Sequence, residues 1–326
     1  MPEASYNSGL SCLFEKFVRY RKACNKWNDV SYGLNLLLFD RYCAAAFPGE
    51  TILRQEMIDQ WCTQRKGESN NSCISRIFVI VTFIRYLQER GLTTIQCPII
   101  PTAERRQYVP HFFTHEELKH FFDACDNYRP YNFRTNTNLR VKYTLPVFFR
   151  LLYSSGMRTT EARELRRRDV DLASGVVTIK NTKGYEEHFV VLHESMLVLM
   201  REYDQVMEKM YSDRTYFFPN GKESFFSRTW VARYFKKMWK QVSDAPALPY
   251  ELRHNYAIEN IDRFLDKGMS FDDSMTYLSK SMGHTSVEIT ARNYYHLAPS
   301  LSEVLQKHTE AGFNELIPEL DDEEVQ

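Results

Sequence analysis

The chain has 326 residues, of which 43% are hydrophobic and 26% charged, with 42 Lys and Arg balanced by 42 Asp and Glu. It is long enough to bury a sizeable core in two domains, and no run reaches the roughly 18 apolar residues of a membrane span. Zero net charge counts against an indiscriminate nucleic-acid binder, although residues 1–110 carry 14 bases against 10 acids and the last thirteen residues carry six acids and no base.

Residues 1–100 read as all-helical. Cys12 to Cys24 alternates apolar and basic positions at helical spacing, Tyr32 to Ala46 forms a second apolar stripe, and Arg54 to Gln64 turns Met57, Ile58 and Trp61 inward. Ser69 or Asn70 caps the longest helix, Cys73 to Arg90, which stops at Gly91. Arg76 and Arg85 project from it, as a solvated face or as contacts to an anionic partner. Seven cysteines, at 12, 24, 43, 62, 73, 97 and 125, include no Cys-x-x-Cys pair and read as reduced, mostly buried thiols. Met1 to Leu10 lacks the pattern of a signal peptide, which points to the cytoplasm.

Pro98 to Pro110 holds three prolines, Arg105 and Arg106, with no periodicity, and reads as the linker. Thr114 and Glu117 then stand at capping-box spacing before a new helix. Gly156 breaks the helix that carries Leu151 and Leu152, and Met157-Arg158 opens the next. Arg158 and Glu161, three apart, share a helix face, so the carboxylate can fix the guanidinium and leave its other donors pointing outward. Val176 to Ile179 and Phe189 to Leu192 are β-rich, with Thr182-Lys183-Gly184 at the turn between them.

His193 to Tyr211 reads as a helix. Ser227 to Val242 is strongly amphipathic, with Trp230, Tyr234, Phe235 and Trp239 opposite Arg233, Lys236, Lys237 and Lys240. The aromatics read as core and the lysines as candidate phosphate contacts. Pro249 suits the first turn of the following helix, which buries Ala257, Ile258 and Ile261 and places Arg253 where the helix terminus favours an anion. A helix from Asp272 stops at Gly283, and Thr285 with Glu288 reads as the capping box of the next. Continuous helix would put Tyr294 roughly 15 Å from His284, so the chain must bend if both touch one phosphate.

Gly156-x-Arg158-x-x-Glu161-x-x-x-Leu165, Lys183-Gly184 on a hairpin, Arg253-His254, and Met282-Gly283-His284 followed by Tyr294 resemble the tyrosine recombinases. These are the phage-integrase and Xer class of site-specific DNA recombinases. Each motif is common alone; their order is specific, and the resemblance covers Cys12 to Leu297. It implies a mainly α fold with a small β-sheet or hairpin. A helical, SAM-like core-binding domain would span residues 1–100, a linker 101–112 and an α+β catalytic domain 113–299. Residues 300–326 would form a segment of the kind the family exchanges between protomers, with an acidic tail and a small apolar face of Leu301, Val304 and Leu305.

The resemblance also assigns roles. Arg158 and Arg253 would hold the nonbridging phosphate oxygens, Glu161 would support Arg158, His284 would add a hydrogen bond, and Lys183 would protonate the departing 5′ oxygen. Many members place the nucleophilic tyrosine nine residues after the histidine, where this chain has Asn293. Others, similar to integrases of conjugative transposons, place it ten after, with a histidine two further on; Tyr294 and His296 fit, and Tyr295 is the alternative. The family's usual His-x-x-Arg has Tyr250 in place of the histidine. His254 or water would then take the phenol proton, or Tyr250 would serve as a hydrogen-bonding support.

Phenol, with an ordinary pKa near 10, needs a base or a positive field, which two arginines supply without a metal. No carboxylate cluster suits magnesium and the resemblance implies no need of one, so no cofactor is expected, and a phosphotyrosyl ester that retains the bond energy would make ATP unnecessary. Arg76, Arg85, Arg105, Arg106, Lys236 and Lys237 become the candidate DNA contacts. The implied enzyme is an integrase or transposase of a mobile element, associated with the nucleoid. Its partners would be double-stranded DNA with short inverted-repeat core sites, three further copies in a tetrameric synapse, and accessory DNA-bending proteins, with no membrane. The helical lobe begins almost at Met1, so no additional N-terminal DNA-binding domain is expected. A catalytically silent DNA-binding relative and a type IB topoisomerase are the rival readings.

Overall fold

The computed structural model describes residues 5–104, 110–131, 135–180, 187–221 and 223–294. The chain divides into two compact units, Met1–Tyr108 and Val109–Gln326, and the division falls inside the proline-containing segment. Both are dominated by helix.

The first unit holds α1 (Ser11–Ala23), α2 (Leu34–Ala46), α3 (Gln55–Cys62) and α4 (Asn70–Gln88). Of these four helices, α4 is the one that starts on a side-chain cap. Ser69 accepts from the Ser72 amide and starts α4, whereas α2 is preceded by a π-turn at Asp29–Gly33 and so begins two residues after Tyr32. Phe14, Phe17, Phe39, Trp61 and Phe83 close the core, several of them edge to face. Asp40 is fully buried there, accepting from the Asn7 and Ser8 amides and the Ser8 hydroxyl. All seven cysteines are unpaired, with Cys12 and Cys24 exposed and Cys43, Cys73 and Cys125 buried.

Arg76 does not project. Its guanidinium is 3% exposed and donates to Glu68 at 2.9 and 2.6 Å and to the carbonyls of Trp61 and Thr63. Those carbonyls belong to the C-terminal end of α3, where helix geometry leaves acceptors unfilled. The arginine completes α3 instead of facing a partner, which corrects its assignment as a DNA contact. Arg85, on the same helix, is exposed.

The second unit begins with α5 (His115–Asp126), whose capping box closes with Thr114 N to Glu117 Oε2 at 2.9 Å and Glu117 N to Thr114 Oγ1 at 3.1 Å. Then come α6 (Asn136–Ser155), α7 (Thr159–Glu164), β1 (Val170–Asp171), β2 (Val176–Ile179) and β3 (His188–Val191). After the sheet follow α8 (Glu194–Met210), α9 (Arg228–Trp239), α10 (Glu251–Asp266), α11 (Phe271–Ser281) and α12 (Val287–Tyr294).

The strands form one antiparallel sheet in the order β1-β2-β3, with Val177 opposite Val190 and Ile179 opposite His188. Val177, Ile179 and Val190 face inward, while Phe189 and Val191 face out. Phe121, Phe148, Phe149, Phe217, Phe218, Trp230, Phe235 and Trp239 build the core on which α5, α6, α8 and α9 pack. A smaller cluster joins α10, α11 and α12 and contains the Tyr294 ring. Among the described residues no helix is long and apolar enough to cross a membrane.

Candidate active site

Gly156 ends α6 in the left-handed region, at φ +63°, and a Cβ there would lie 2.3 Å from the Tyr256 ring. The turn it makes places Arg158 at the start of α7. Glu161 holds that arginine twice, accepting from its amide at 2.7 Å and from Nη1 at 2.6 Å. The remaining terminal nitrogen, Nη2, donates to the Gly283 carbonyl at 2.9 Å.

Arg253 comes from the first turn of α10. The Leu248 amide donates to Glu251 at 2.7 Å, and Pro249 stands one residue ahead of the Tyr250 cap, outside the first turn that the sequence suggested for it. The Arg253 guanidinium is 1% exposed and donates to the carbonyls of Gly156 and Met282, the latter at 2.8 Å. Its Nη2 also lies 2.9 Å from His284 Nε2. An arginine only donates, so Nε2 accepts and the ring proton is on Nδ1, which donates to Thr290 Oγ1 at 2.6 Å. Burial, helped by Arg253, Arg158 and His188, pushes the His284 pKa down to about 4, and the ring is neutral near pH 7.

The chain bends where the phosphate argument requires it to. Gly283 ends the α11 turn at φ +60° and α12 does not begin until Val287, so the His284 and Tyr294 rings stack at 6.2 Å instead of standing a helix length apart. The Thr285 capping box does not form: Glu288 interacts with Ser286. The Tyr294 ring is 1% exposed. Burial raises its pKa to about 12, against the lowering pull of Arg253 and Arg158. The expected arginine field is thus present but outweighed in the DNA-free protein.

Tyr250 is exposed and touches the His254 ring at 5.1 Å, and His254 in turn lies 5.4 Å from the Tyr294 ring. Burial lowers the His254 pKa, and its Nδ1 has no partner among the described residues. It is therefore, with His284, one of two neutral histidines beside the phenol. Lys183, Tyr295, His296, Arg105 and Arg106 lie outside the described residues. Lys236 and Lys237 are exposed on α9, with Lys237 4.8 Å over the Tyr128 ring.

Three neighbours were not legible as site residues: Thr290, Tyr256 and His188. The His188 ring packs on Gly283, where a Cβ would lie 2.4 Å from it.

The phage integrase family model matches residues 111–300, more than half of the 326-residue chain. The chain belongs to that family. It is a tyrosine recombinase, of an enzyme class that cuts and rejoins DNA. Tyrosine recombinase XerC of Lactobacillus delbrueckii subsp. bulgaricus is 24% identical over 302 residues, which cover 85% of this chain and 97% of that protein. XerC of Staphylococcus saprophyticus is 25% identical over 71% of this chain and 73% of its own length. A probable integrase/recombinase of Methanocaldococcus jannaschii is 30% identical over 44% of this chain and 43% of its own.

Two solved structures of the family share the fold. XerH bound to its palindromic difH substrate superposes with a TM-score of 0.57 at 18% identity, over 85% of this chain and 78% of that one. The Tn1549 transposon integrase in complex with right-end DNA gives 0.54 at 15%, over 93% and 99%.

Proposed function

We propose that this recombinase serves a mobile element and exchanges DNA strands through a 3′-phosphotyrosyl intermediate on Tyr294. The observation that carries the chemistry is the convergence of Arg158, Arg253, His284 and Tyr294, from α7, α10, the α11–α12 turn and α12, on one cluster. A scissile phosphate entering there would replace the carbonyls of Gly156, Met282 and Gly283 as acceptor for the two guanidiniums. An ionic acceptor makes the stronger hydrogen bond, so the exchange favours the phosphate.

The Tyr294 oxygen then bonds to phosphorus as the bond to the 5′ oxygen breaks. The phenol proton passes to His254 or water, and Lys183 supplies the proton that the leaving oxygen takes up. The ester retains the bond energy, so attack by a 5′ hydroxyl from a second duplex reverses the step and joins exchanged strands without ATP. The chemistry asks nothing of a metal ion, because the two guanidiniums supply the positive charge.

In this reading residues 1–100 form the core-binding domain and residues 113–299 the catalytic domain, each contacting DNA, with residues 101–112 as the linker. Arg85, Lys236, Lys237, Arg105 and Arg106 would contact phosphates, and residues 300–326 would pass to a neighbouring protomer in a tetramer on two inverted-repeat sites. The enzyme would work in the cytoplasm, at the nucleoid. The spacing of Tyr294 and His296 after His284 is the feature that favours a mobile element over chromosome-dimer resolution.

The test is a nicked suicide duplex carrying a site selected by this chain from randomised duplexes. Wild type, Tyr294→Phe and Tyr295→Phe are compared for a denaturant-resistant protein–DNA adduct. Adduct from wild type and Tyr295→Phe but not from Tyr294→Phe is the expected result. Tight, specific binding with no adduct from any of them would favour a silent DNA-binding relative, with Tyr250 as the cause.

A further inference from the structure

Lys183 falls in sequence between β2 and β3, whose ladder has four residue pairs. Such a ribbon twists easily, while a proton donor has to come within about 2.6–3.2 Å of its target. A second contact is needed to aim the lysine. His188 is placed to make it: it pairs with Ile179 in the last rung of that ladder.

The His188 ring lies against the α-carbon of Gly283. A Cβ built there would fall 2.4 Å from Cε1 and 2.5 Å from Nδ1, so residue 283 is glycine both for its φ of +60° and to admit the imidazole. The carbonyl of the same glycine accepts from Arg158 at 2.9 Å, and the next residue is His284. One turn therefore receives the hairpin through His188 and the phosphate-binding arginine through Gly283.

We propose that His188 is a positioning residue, docking the hairpin stem on the Gly283–His284 turn so that Lys183 meets the leaving 5′ oxygen. The proposal rests on Lys183 being the proton donor, and the two ideas fail separately. Replacing the bridging 5′ oxygen by sulfur removes the need for that proton, because a thiolate leaves readily as the anion. A group that acts only through the donor becomes dispensable on the sulfur substrate, whereas a group that binds phosphate or holds the fold does not.

The experiment measures adduct formation on the selected suicide duplex in its oxygen and its 5′-bridging phosphorothiolate forms, with melting temperature as a control. A misplacement on the order of 1 Å can cost about a hundredfold, so His188→Ala is expected to slow cleavage of the oxygen substrate by about ten- to a hundredfold. Near-wild-type cleavage of the sulfur substrate is expected, as for Lys183→Ala. His188→Phe, which keeps a flat ring against Gly283, should recover most of the rate, and the His188→Ala, Lys183→Ala double variant should be no slower than Lys183→Ala.

A His188→Ala defect that persists on sulfur while Lys183→Ala is rescued would overturn the proposal and leave the donor assignment standing. Wild-type rates for His188→Ala on both substrates, or a His188→Phe rate as low as that of alanine, would overturn it too. Failure of sulfur to rescue Lys183→Ala would instead remove the donor reading beneath it.

Discussion

Gly156→Ala tests the architecture at its tightest point. The glycine has φ +63°, and the new methyl would lie 2.3 Å from Cδ1 and 2.7 Å from Cε1 of Tyr256. That ring cannot simply swing aside, since its hydroxyl hydrogen-bonds Ser281 Oγ at 3.0 Å. A left-handed alanine costs about 1–2 kcal/mol and overpacking a further ~1–3 kcal/mol, giving roughly 2–5 kcal/mol. At about 2–4 °C per kcal/mol for a domain of this size, the melting temperature should fall by some ~4–20 °C.

The two contributions separate in a double-mutant cycle. With Tyr256→Ala in the background the overlap is gone, and Gly156→Ala should cost only the backbone strain. Denaturant titration of the four proteins gives the coupling, and a cost equal in both backgrounds to within about 0.5 kcal/mol would refute the overlap. Cleavage should fall further than stability explains, because the Gly156 carbonyl anchors Arg253.

Glu161→Gln replaces a buried carboxylate held by the Arg158 amide and guanidinium; adduct formation should drop about tenfold, a loss of ~1.4 kcal/mol, with site binding little changed. An unaltered rate would mean that Arg158 needs no support. Arg76→Ala should unfold the first unit in urea titrations by about 3 kcal/mol, the cost of breaking a buried pair, while charge-preserving variants of Arg85 leave stability unchanged. Loss of DNA affinity without loss of stability in Arg76→Ala would restore it as a contact. His284 has a folded pKa of about 4 against an ordinary 6.5, so the native state favours the neutral ring. Its contribution is complete above pH 6.5 and is lost as pH falls from there toward 4; His284→Asn should flatten that part of the melting-temperature profile.

What the sequence made legible was local. The cap at Ser69, the box at Thr114 and Glu117, the left-handed stop at Gly156 and the β2–β3 pair each depend on residues within a few positions, and the structure places them there. The start of α6 was missed because Pro146 lies inside it and interrupts the helix signal. Arg76 was misassigned because its partners are the end of another helix and Glu68, a tertiary fact that periodicity does not carry. His188 had no signal either, since its meaning comes from a glycine far along the chain. The phenol of Tyr294 shows the same limit in energetic form: the arginines could be named from the motifs, but the burial that outweighs them could not.

The free site also holds His284 in the wrong form for its proposed task. Donation to a phosphate requires a proton on Nε2, yet Nε2 accepts from Arg253 and the proton lies on Nδ1, toward Thr290. An entering phosphate changes both sides at once: it draws Arg253 away from Nε2, and its charge favours a proton there. Either the ring gains a second proton and keeps Nδ1–H, or the proton moves and Thr290 must donate to a bare Nδ1. A hydroxyl can do both, because it is donor and acceptor; valine can do neither. Thr290→Val should therefore slow adduct formation by about tenfold, the worth of one hydrogen bond, whereas Thr290→Ser stays near wild type. Nitrogen-15 shifts of His284 would report Nδ1 protonated in the free chain and Nε2 protonated with DNA bound. A free chain with its proton already on Nε2, or a Thr290→Val enzyme cleaving at the wild-type rate, would refute the exchange and leave His284 as a packing partner of Tyr294.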